Sequence, residues 1–236
     1  KIFVFLPSYT NSVMTKCYEN LTFCVKNAVY LSKVTVILRI LMSSIKTVCV
    51  YCASSDHCKP IFLDSAFTLG GILAKEGVDI VYGGGSTGLM GKLADGAIAE
   101  KGHVIGIIPQ FMQNLEWGHK GISILEEVED MHTRKFLMMK KSDGIVALPG
   151  GCGTLEELLE AITWKRLGLT HQPIVIANID GFYDDLIAML NKTVDEQFMR
   201  KEHLQMWNVV HSVEDILPTL QSIDPWPLNA IDYAKV

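Results

Sequence analysis

Three glycines in four positions, Gly150, Gly151 and Gly153, stand just before Thr154 and Glu157 in the run Pro149-Gly150-Gly151-Cys152-Gly153-Thr154-Leu155-Glu156-Glu157. Glycine lets a backbone turn sharply and bring its N–H groups close to a ligand. Upstream, Gly144-Ile145-Val146-Ala147-Leu148 is an apolar run of strand length. Downstream, Leu155, Leu158, Leu159 and Ile162 recur at i, i+3, i+4 and i+7, a helical stripe. The stretch therefore reads strand, tight loop, helix. The unpaired N–H groups and positive dipole end of such a helix suit an anion, most often a phosphate. A Walker A loop is ruled out, because its Gly-Lys-Ser/Thr ending is missing. An ordinary turn remains the alternative: Thr154 and Glu157 fit the Thr-x-x-Glu capping box, whose side chains serve only helix-end donors.

Gly83-Gly84-Gly85-Ser86-Thr87-Gly88 satisfies G-x-G-x-x-G after a strand. A dinucleotide site expects an acidic residue at the end of the next strand. That strand ends Ile107-Ile108-Pro109-Gln110, so NAD is disfavoured and a turn near a mononucleotide stays open. Arg134 and Lys135 fall in the first turns of a helix, either as a solvated face or as cations meeting an anionic nucleotide. Glu116 shares a loop with Trp117, Gly118 and His119, as a surface charge or a ligand to hydroxyls or a base. Thr163 is mid-helix, where a hydroxyl commonly bonds its own backbone. His119 and His132 have no companions at metal-ligand spacing. Asp184-Asp185 suits a helix start without any metal. No Gly-x-Ser-x-Gly elbow is present, so no acyl-transfer triad is expected.

These residues need a scaffold. The 236 residues, 49% apolar with a formal net charge of −5, suffice for one domain with a full core. Mild acidity argues against a nucleic-acid partner or a membrane surface. No uninterrupted apolar run approaches the roughly 20 residues of a membrane helix. Of the six cysteines, Cys49 and Cys52 have redox spacing but lie in a strand-like run, where residues three apart point to opposite faces. Reduced structural thiols in a cytoplasmic protein are expected instead.

Residues 1–41 contain no glycine, no aspartate and one acidic residue, Glu19. They read as an N-terminal extension outside the fold, with Met42 as the natural start; an acid-poor targeting peptide is the alternative. From Thr47 strands and helices alternate. Strands are expected at Thr47–Cys52, Val78–Tyr82, His103–Ile108, Ile122–Val128, Gly144–Leu148 and Pro173–Asn178. Helices are expected at Ile61–Lys75, Leu89–Lys101, Met131 to about Lys141 with Asp130 as cap, Phe182 to about Glu196, and Val213–Ser222, besides the one after the central glycine loop. Apolar strands joined by helices imply a doubly wound, Rossmann-like α/β fold: one parallel sheet with helices on both faces, in a single domain over residues 42–224. Residues 225–236 read as a loose tail. Both glycine loops should lie on the rim at the carboxyl ends of the strands.

Together, Tyr82-Gly83-Gly84-Gly85-Ser86-Thr87-Gly88-Leu89-Met90-Gly91, Met131-His132-Thr133-Arg134-Lys135 and the central glycine run resemble the signatures of the Lonely guy family, the cytokinin riboside 5′-monophosphate phosphoribohydrolases. Thr163-Trp164, Leu167-Gly168 and Asp180-Gly181-Phe182-Tyr183 match as well, so the resemblance spans Thr47 to Leu220. It implies hydrolysis of the N-glycosidic bond of a nucleoside 5′-monophosphate to free base and ribose 5-phosphate, with no metal or redox cofactor. By the family's motif Arg134 and Glu157 carry catalysis. Gly150, Gly151, Cys152, Gly153, Thr154, Leu155, Glu156 and Glu157 bind phosphate and ribose. Glu116, Arg134, Lys135 and Thr163 match further substrate contacts, and Gly83, Gly84, Gly85 and Gly88 form a second nucleotide loop. The resemblance also implies a homodimer with sites near the interface. Thr133 stands where plant members usually carry glutamate, and Ala53 where glycine is common; both bear on base preference. An older label calls such chains lysine decarboxylases, but no feature here supports pyridoxal chemistry. An AMP nucleosidase with little N6 preference is a second enzyme reading. A non-catalytic nucleotide or cofactor carrier on the same fold is a third.

The chemistry of the residues agrees. Glycosidic cleavage passes through an oxocarbenium-like transition state. A carboxylate beside the ribose stabilises that charge, a task for Glu157; a cation near the departing base offsets negative charge, a task for Arg134.

Overall fold

The computed structural model describes residues 45–116, 118–224 and 226–227, with the side chains of residues 114–116 outside the described set. The expected extension at residues 1–41 and most of the expected tail lie outside it too. Trp226, within that tail, is buried.

Short apolar runs form the strands β1 (Thr47–Tyr51), β2 (Asp79–Tyr82), β3 (Val104–Pro109), β4 (Ile124–Val128), β5 (Gly144–Ala147), β6 (Ile174–Ala177) and β7 (Asn208–Val210). They make one sheet in the order β4-β3-β2-β1-β5-β6-β7. Every pairing is parallel. Period-two alternation feeds two cores. Val48 and Val50 point to one face, with Leu69, Leu93 and Leu217. Cys49 and Tyr51 point to the other, with Met138, Leu158 and Ile162. Cys49 and Cys52 accordingly face opposite sides, and neither forms a disulfide. Burial pushes the Cys49 thiol well above its ordinary value.

The helices on the first face are α1 (Pro60–Lys75) and α2 (Gly88–Ala99), with α7 (Ile216–Ser222). Proline opens α1, where its missing N–H costs nothing. Gly70 and Gly96 let α1 and α2 meet backbone to backbone. A Cβ on Gly70 would stand 2.1 Å from the Leu93 carbonyl oxygen, and one on Gly96 would stand 1.9 Å from that of Phe67. The second face carries α4 (Met131–Lys140), α5 (Cys152–Arg166) and α6 (Asp184–Asp195). Within α5, Lys165 is buried; its amine donates to the Gln172 carbonyl at 2.8 Å, and burial pushes it down to about 8.

Three elements depart from expectation. A short helix α3 (Gln110–Glu116) replaces part of the expected loop after β3; its seven residues are too few to establish a helical period. A 3-10 turn at Lys201–Met206 and the strand β7 fill the stretch before α7. With three residues, β7 is too short to show an alternation. The expected turn at Asp180-Gly181 is a 3-10 turn with both residues at positive φ, 52° and 69°.

The chain lays β2, β3 and β4 outward on one side of β1, then returns to place β5 on its other side. That reversal opens a crevice beyond the carboxyl ends of β1 and β5, where ligands bind in such sheets. No described helix is long and apolar enough to cross a membrane.

Candidate active site

The crevice at the reversal is a cavity of about 300 Å³. Its walls come from Ala53 to Ser55 after β1, Gly83 after β2, Arg134 on α4, and Gly151, Thr154 and Glu157 at the start of α5. The sequence-predicted catalytic pair and glycine loop therefore meet in one place.

Gly151, not Thr154, is the N-cap of α5, and no side chain caps it. Glycine takes the extended geometry there (φ −86°, ψ −157°), which puts Thr154 already inside the helix. The capping-box alternative is thereby overturned. Thr154 is buried and its hydroxyl packs against Gly150, where a Cβ would stand 2.1 Å away. The Leu155 N–H makes the first bond back, to the Gly151 carbonyl at 3.0 Å. The N–H groups ahead of it have no acceptor within the helix. A Cβ on Gly151 or Gly153 would meet nothing within 4 Å, so the loop is uncrowded at both positions, and the N–H groups of the helix start suit an anion. Cys152, Gly153 and Glu156 are exposed at this helix start, with Leu155 half-buried.

Glu157 lies further along α5 and is buried. Its Oε1 stands 3.9 Å from Nη1 of Arg134, also buried. The Arg134 guanidinium is held by backbone: Nε donates to the Ile107 carbonyl at 3.0 Å and Nη2 to the Gly83 carbonyl at 3.1 Å. Nη1 lies 3.8 Å from the Met131 sulfur. Asp130 fixes where α4 begins by accepting from the Thr133 N–H at 2.7 Å, as expected. That bond holds the Asp130 carboxyl below its usual range. Arg134 is thus placed by a helix cap and by the ends of two strands, and it faces one buried carboxylate across the cavity.

Other expected site residues are placed differently. Lys135 does not line the cavity. Its buried amine bonds Glu156 and lies 3.1 Å from Glu160 Oε2, tying α4 to α5. Burial pushes this amine down, but the two carboxylates outweigh it and hold it above its ordinary value. Thr163 is exposed and donates to the Leu159 carbonyl at 2.8 Å. It stands nine residues after Thr154, roughly 13 Å along the helix. The Glu116 side chain lies outside the described residues.

Of the second glycine loop, Gly83 lines the cavity, whereas Gly84, Gly85 and Gly88 do not. The others shape the rim. Gly88, at φ +60°, abuts the Ser54 backbone, where a Cβ would stand 2.4 Å from the carbonyl carbon. The Met90 N–H and Thr87 hydroxyl donate to the carbonyls of Ala53 and Ser54 at 3.1 and 3.0 Å. Gly85 bridges to Gly118. Among the described residues no three His, Cys, Asp or Glu side chains are grouped to hold a metal ion.

Four methionines to which the sequence assigned no site role also line the cavity: Met90, Met112, Met131 and Met138. Met131 and Met138 flank Arg134 at i−3 and i+4, a spacing that reads as a core stripe.

The family described as possible lysine decarboxylase matches residues 90–220. A probable cytokinin riboside 5′-monophosphate phosphoribohydrolase of Oryza sativa subsp. japonica is 35% identical over 84% of this chain and 83% of its own length. A cytokinin riboside 5′-monophosphate phosphoribohydrolase of Arabidopsis thaliana is 38% identical over 80% of this chain and 92% of its own. Among solved structures, the molybdenum cofactor binding protein of Rippkaea orientalis has a TM-score of 0.58 at 24% identity, covering 76% of this chain and 98% of that one. The molybdenum cofactor carrier protein of Chlamydomonas reinhardtii has a TM-score of 0.59 at 19% identity, over 76% and 98%. At those identities the structural matches bear on the fold alone.

Proposed function

The chain belongs to the family of the cytokinin riboside 5′-monophosphate phosphoribohydrolases, and from that premise we propose that it cleaves the N-glycosidic bond of an N6-substituted AMP to release the free base and ribose 5-phosphate. The observation that carries this reading is the buried Glu157–Arg134 pair set in the cavity beside an open helix N-terminus. The N–H groups at Gly151 to Thr154 hold the phosphate. The ribose then lies by Glu157, whose carboxylate stabilises the positive charge that develops at C1′ and orients the attacking water. Arg134, fixed by two carbonyls before any substrate arrives, offsets the negative charge that develops as the base departs.

The test incubates the purified protein separately with isopentenyladenosine monophosphate and with AMP and measures ribose 5-phosphate. Release from the first at the higher kcat/KM is expected. Equal rates would favour the plain AMP nucleosidase, and release from neither would favour the carrier.

A homodimer is part of the proposal. Phe136 on α4 and Leu159 on α5 are exposed, and Leu167 and Leu169 are exposed just beyond α5. A second copy packed over this face removes apolar surface from water. It also sets Thr163 at the junction, which reconciles a substrate role with its distance from the cavity. Light scattering at micromolar concentration should give twice the chain mass; a fully active monomer would overturn this. Cys49, Cys52, Cys58 and Cys152 form no disulfide, which suits a reducing compartment, and we place the protein in the cytoplasm.

A further inference from the structure

We propose that Tyr183 is a positioning residue for phosphate binding: from outside the cavity, it fixes the glycine loop that receives the nucleotide's phosphate; the inference rests on the phosphoribohydrolase reading above. The buried phenol donates to the Leu148 carbonyl at 2.7 Å. Leu148 stands just past β5, and Pro149 and Gly150 lead from it to Gly151, the N-cap of α5. The Leu148 N–H is already engaged, donating to the Tyr51 carbonyl in β1 at 2.9 Å. The phenol therefore holds the remaining polar group of the last residue before the loop. A peptide unit is planar, so fixing the Leu148 carbonyl also fixes the Pro149 nitrogen and the direction in which the loop sets out. Proline narrows the path further, through its own locked φ and its restriction of the residue before it.

The loop needs an anchor because it has space on two sides. Gly151 borders the active-site cavity and also a second hollow of about 310 Å³, which Pro149, Gly150, Phe62 and Phe182 line as well. A glycine-rich segment so placed has many conformations to lose, and its N–H groups serve a phosphate only when they converge. Tyr183 is itself firmly held. Its N–H donates to Asn178 Oδ1 at 2.7 Å, and Asn178 Nδ2 donates to Asp184 Oδ1 at 2.7 Å. The Asn178 N–H in turn donates to the Val210 carbonyl in β7 at 2.8 Å. Phe182 meets the Tyr183 ring edge-on with centroids 4.9 Å apart, and meets Phe62 of α1 in the same way at 5.6 Å. Burial pushes the Tyr183 phenol above its ordinary range, so it stays protonated and remains a donor. The loop is thus referred to β1 through the Leu148 N–H and to β7 through Asn178 and the phenol.

Tyr183→Phe keeps the ring and its packing and deletes only the hydroxyl. The experiment measures, by calorimetry, the dissociation constants of ribose 5-phosphate, which needs the loop, and of adenosine, which carries no phosphate. The proteins are the wild type, Tyr183→Phe and Asn178→Ala. Tyr183→Phe should bind ribose 5-phosphate about tenfold more weakly, the effect of one lost hydrogen bond, and adenosine as the wild type does. In turnover of isopentenyladenosine monophosphate the same variant should raise KM and leave kcat nearly unchanged. A tyrosine that only filled the core would lower the unfolding temperature and leave the ratio of the two constants where it was. Circular dichroism checks each fold. Asn178→Ala, which releases the Tyr183 backbone, should move the ratio the same way, and it decides if Tyr183→Phe fails to fold. An unchanged ratio in folded Tyr183→Phe overturns the positioning role and leaves the hydrolase reading intact. Should the wild type bind ribose 5-phosphate but release none from either nucleotide, the hydrolase reading fails by itself, and the ratio still decides the role of Tyr183. A wild type that does not bind ribose 5-phosphate overturns the loop as a phosphate site and the role of Tyr183 with it.

Discussion

Glu157→Gln should lower turnover by on the order of 10²-fold or more while KM moves far less. Glutamine keeps the shape of the side chain and removes its charge. Glu157 is buried, lies inside α5 beyond the cap, and faces the Arg134 guanidinium at 3.9 Å. A residue whose duty was to cap the helix would tolerate the change, but the cap is Gly151. What glutamine cannot supply is the negative charge that an oxocarbenium-like ribose requires. The phosphate still binds, because the N–H groups at Gly151 to Thr154 are untouched. Steady-state kinetics with circular dichroism make the measurement. Near-normal turnover in a folded variant would remove Glu157 from the chemistry.

Arg134→Ala should act twice, on turnover and on stability. Turnover should fall by on the order of 10²- to 10³-fold, the usual cost of losing one preorganised electrostatic group. Stability should fall by about 3 kcal/mol, because the change leaves Glu157 buried without its neighbouring cation. The carbonyls of Ile107 and Gly83 also lose a donor. Arg134→Lys should recover part of the stability, since charge returns, but little of the rate, since a lysine cannot bond both carbonyls in a fixed fork. Thr154→Ala is the contrast: it loosens the phosphate end and should raise KM. Urea unfolding and kinetics on the same preparations separate the two effects. A folded Arg134→Ala protein that keeps its turnover and shows only a raised KM would assign the arginine to phosphate binding.

The layered fold was legible because β2, β3, β5 and β6 are apolar runs bounded by glycine or proline and the long helices have a stripe or a cap. Asp130 before Met131 is a local signal, and the structure realises it within its own turn. Elements with no local signal escaped: β7 has three residues and α3 has seven, both too short to establish a period. The site was legible in residue type but less so in role. Lys135 was identified as a cation, yet its carboxylate partners sit 21 and 25 positions away, on another helix, and no spacing rule links them. The Thr154–Glu157 spacing pointed to a cap, and the glycine three residues earlier took that place. The four methionines that line the cavity come from three helices and meet there only once the sheet order has brought those helices together.

The Arg134 anchors are main-chain oxygens, at Ile107 in β3 and at Gly83 beyond β2. No codon change can delete a carbonyl. The acceptor side of this contact is therefore invisible to most genetic drift: Ile107 can become valine or leucine and still present the same oxygen. Gly83 is the exception, since a Cβ there would stand 2.1 Å from Nη2, so bulk rather than chemistry is what selection must exclude. A lineage can thus rewrite much of the sheet while the arginine keeps its aim, and the heritable information for that aim is concentrated in one arginine, one glycine and the pairing of two strands.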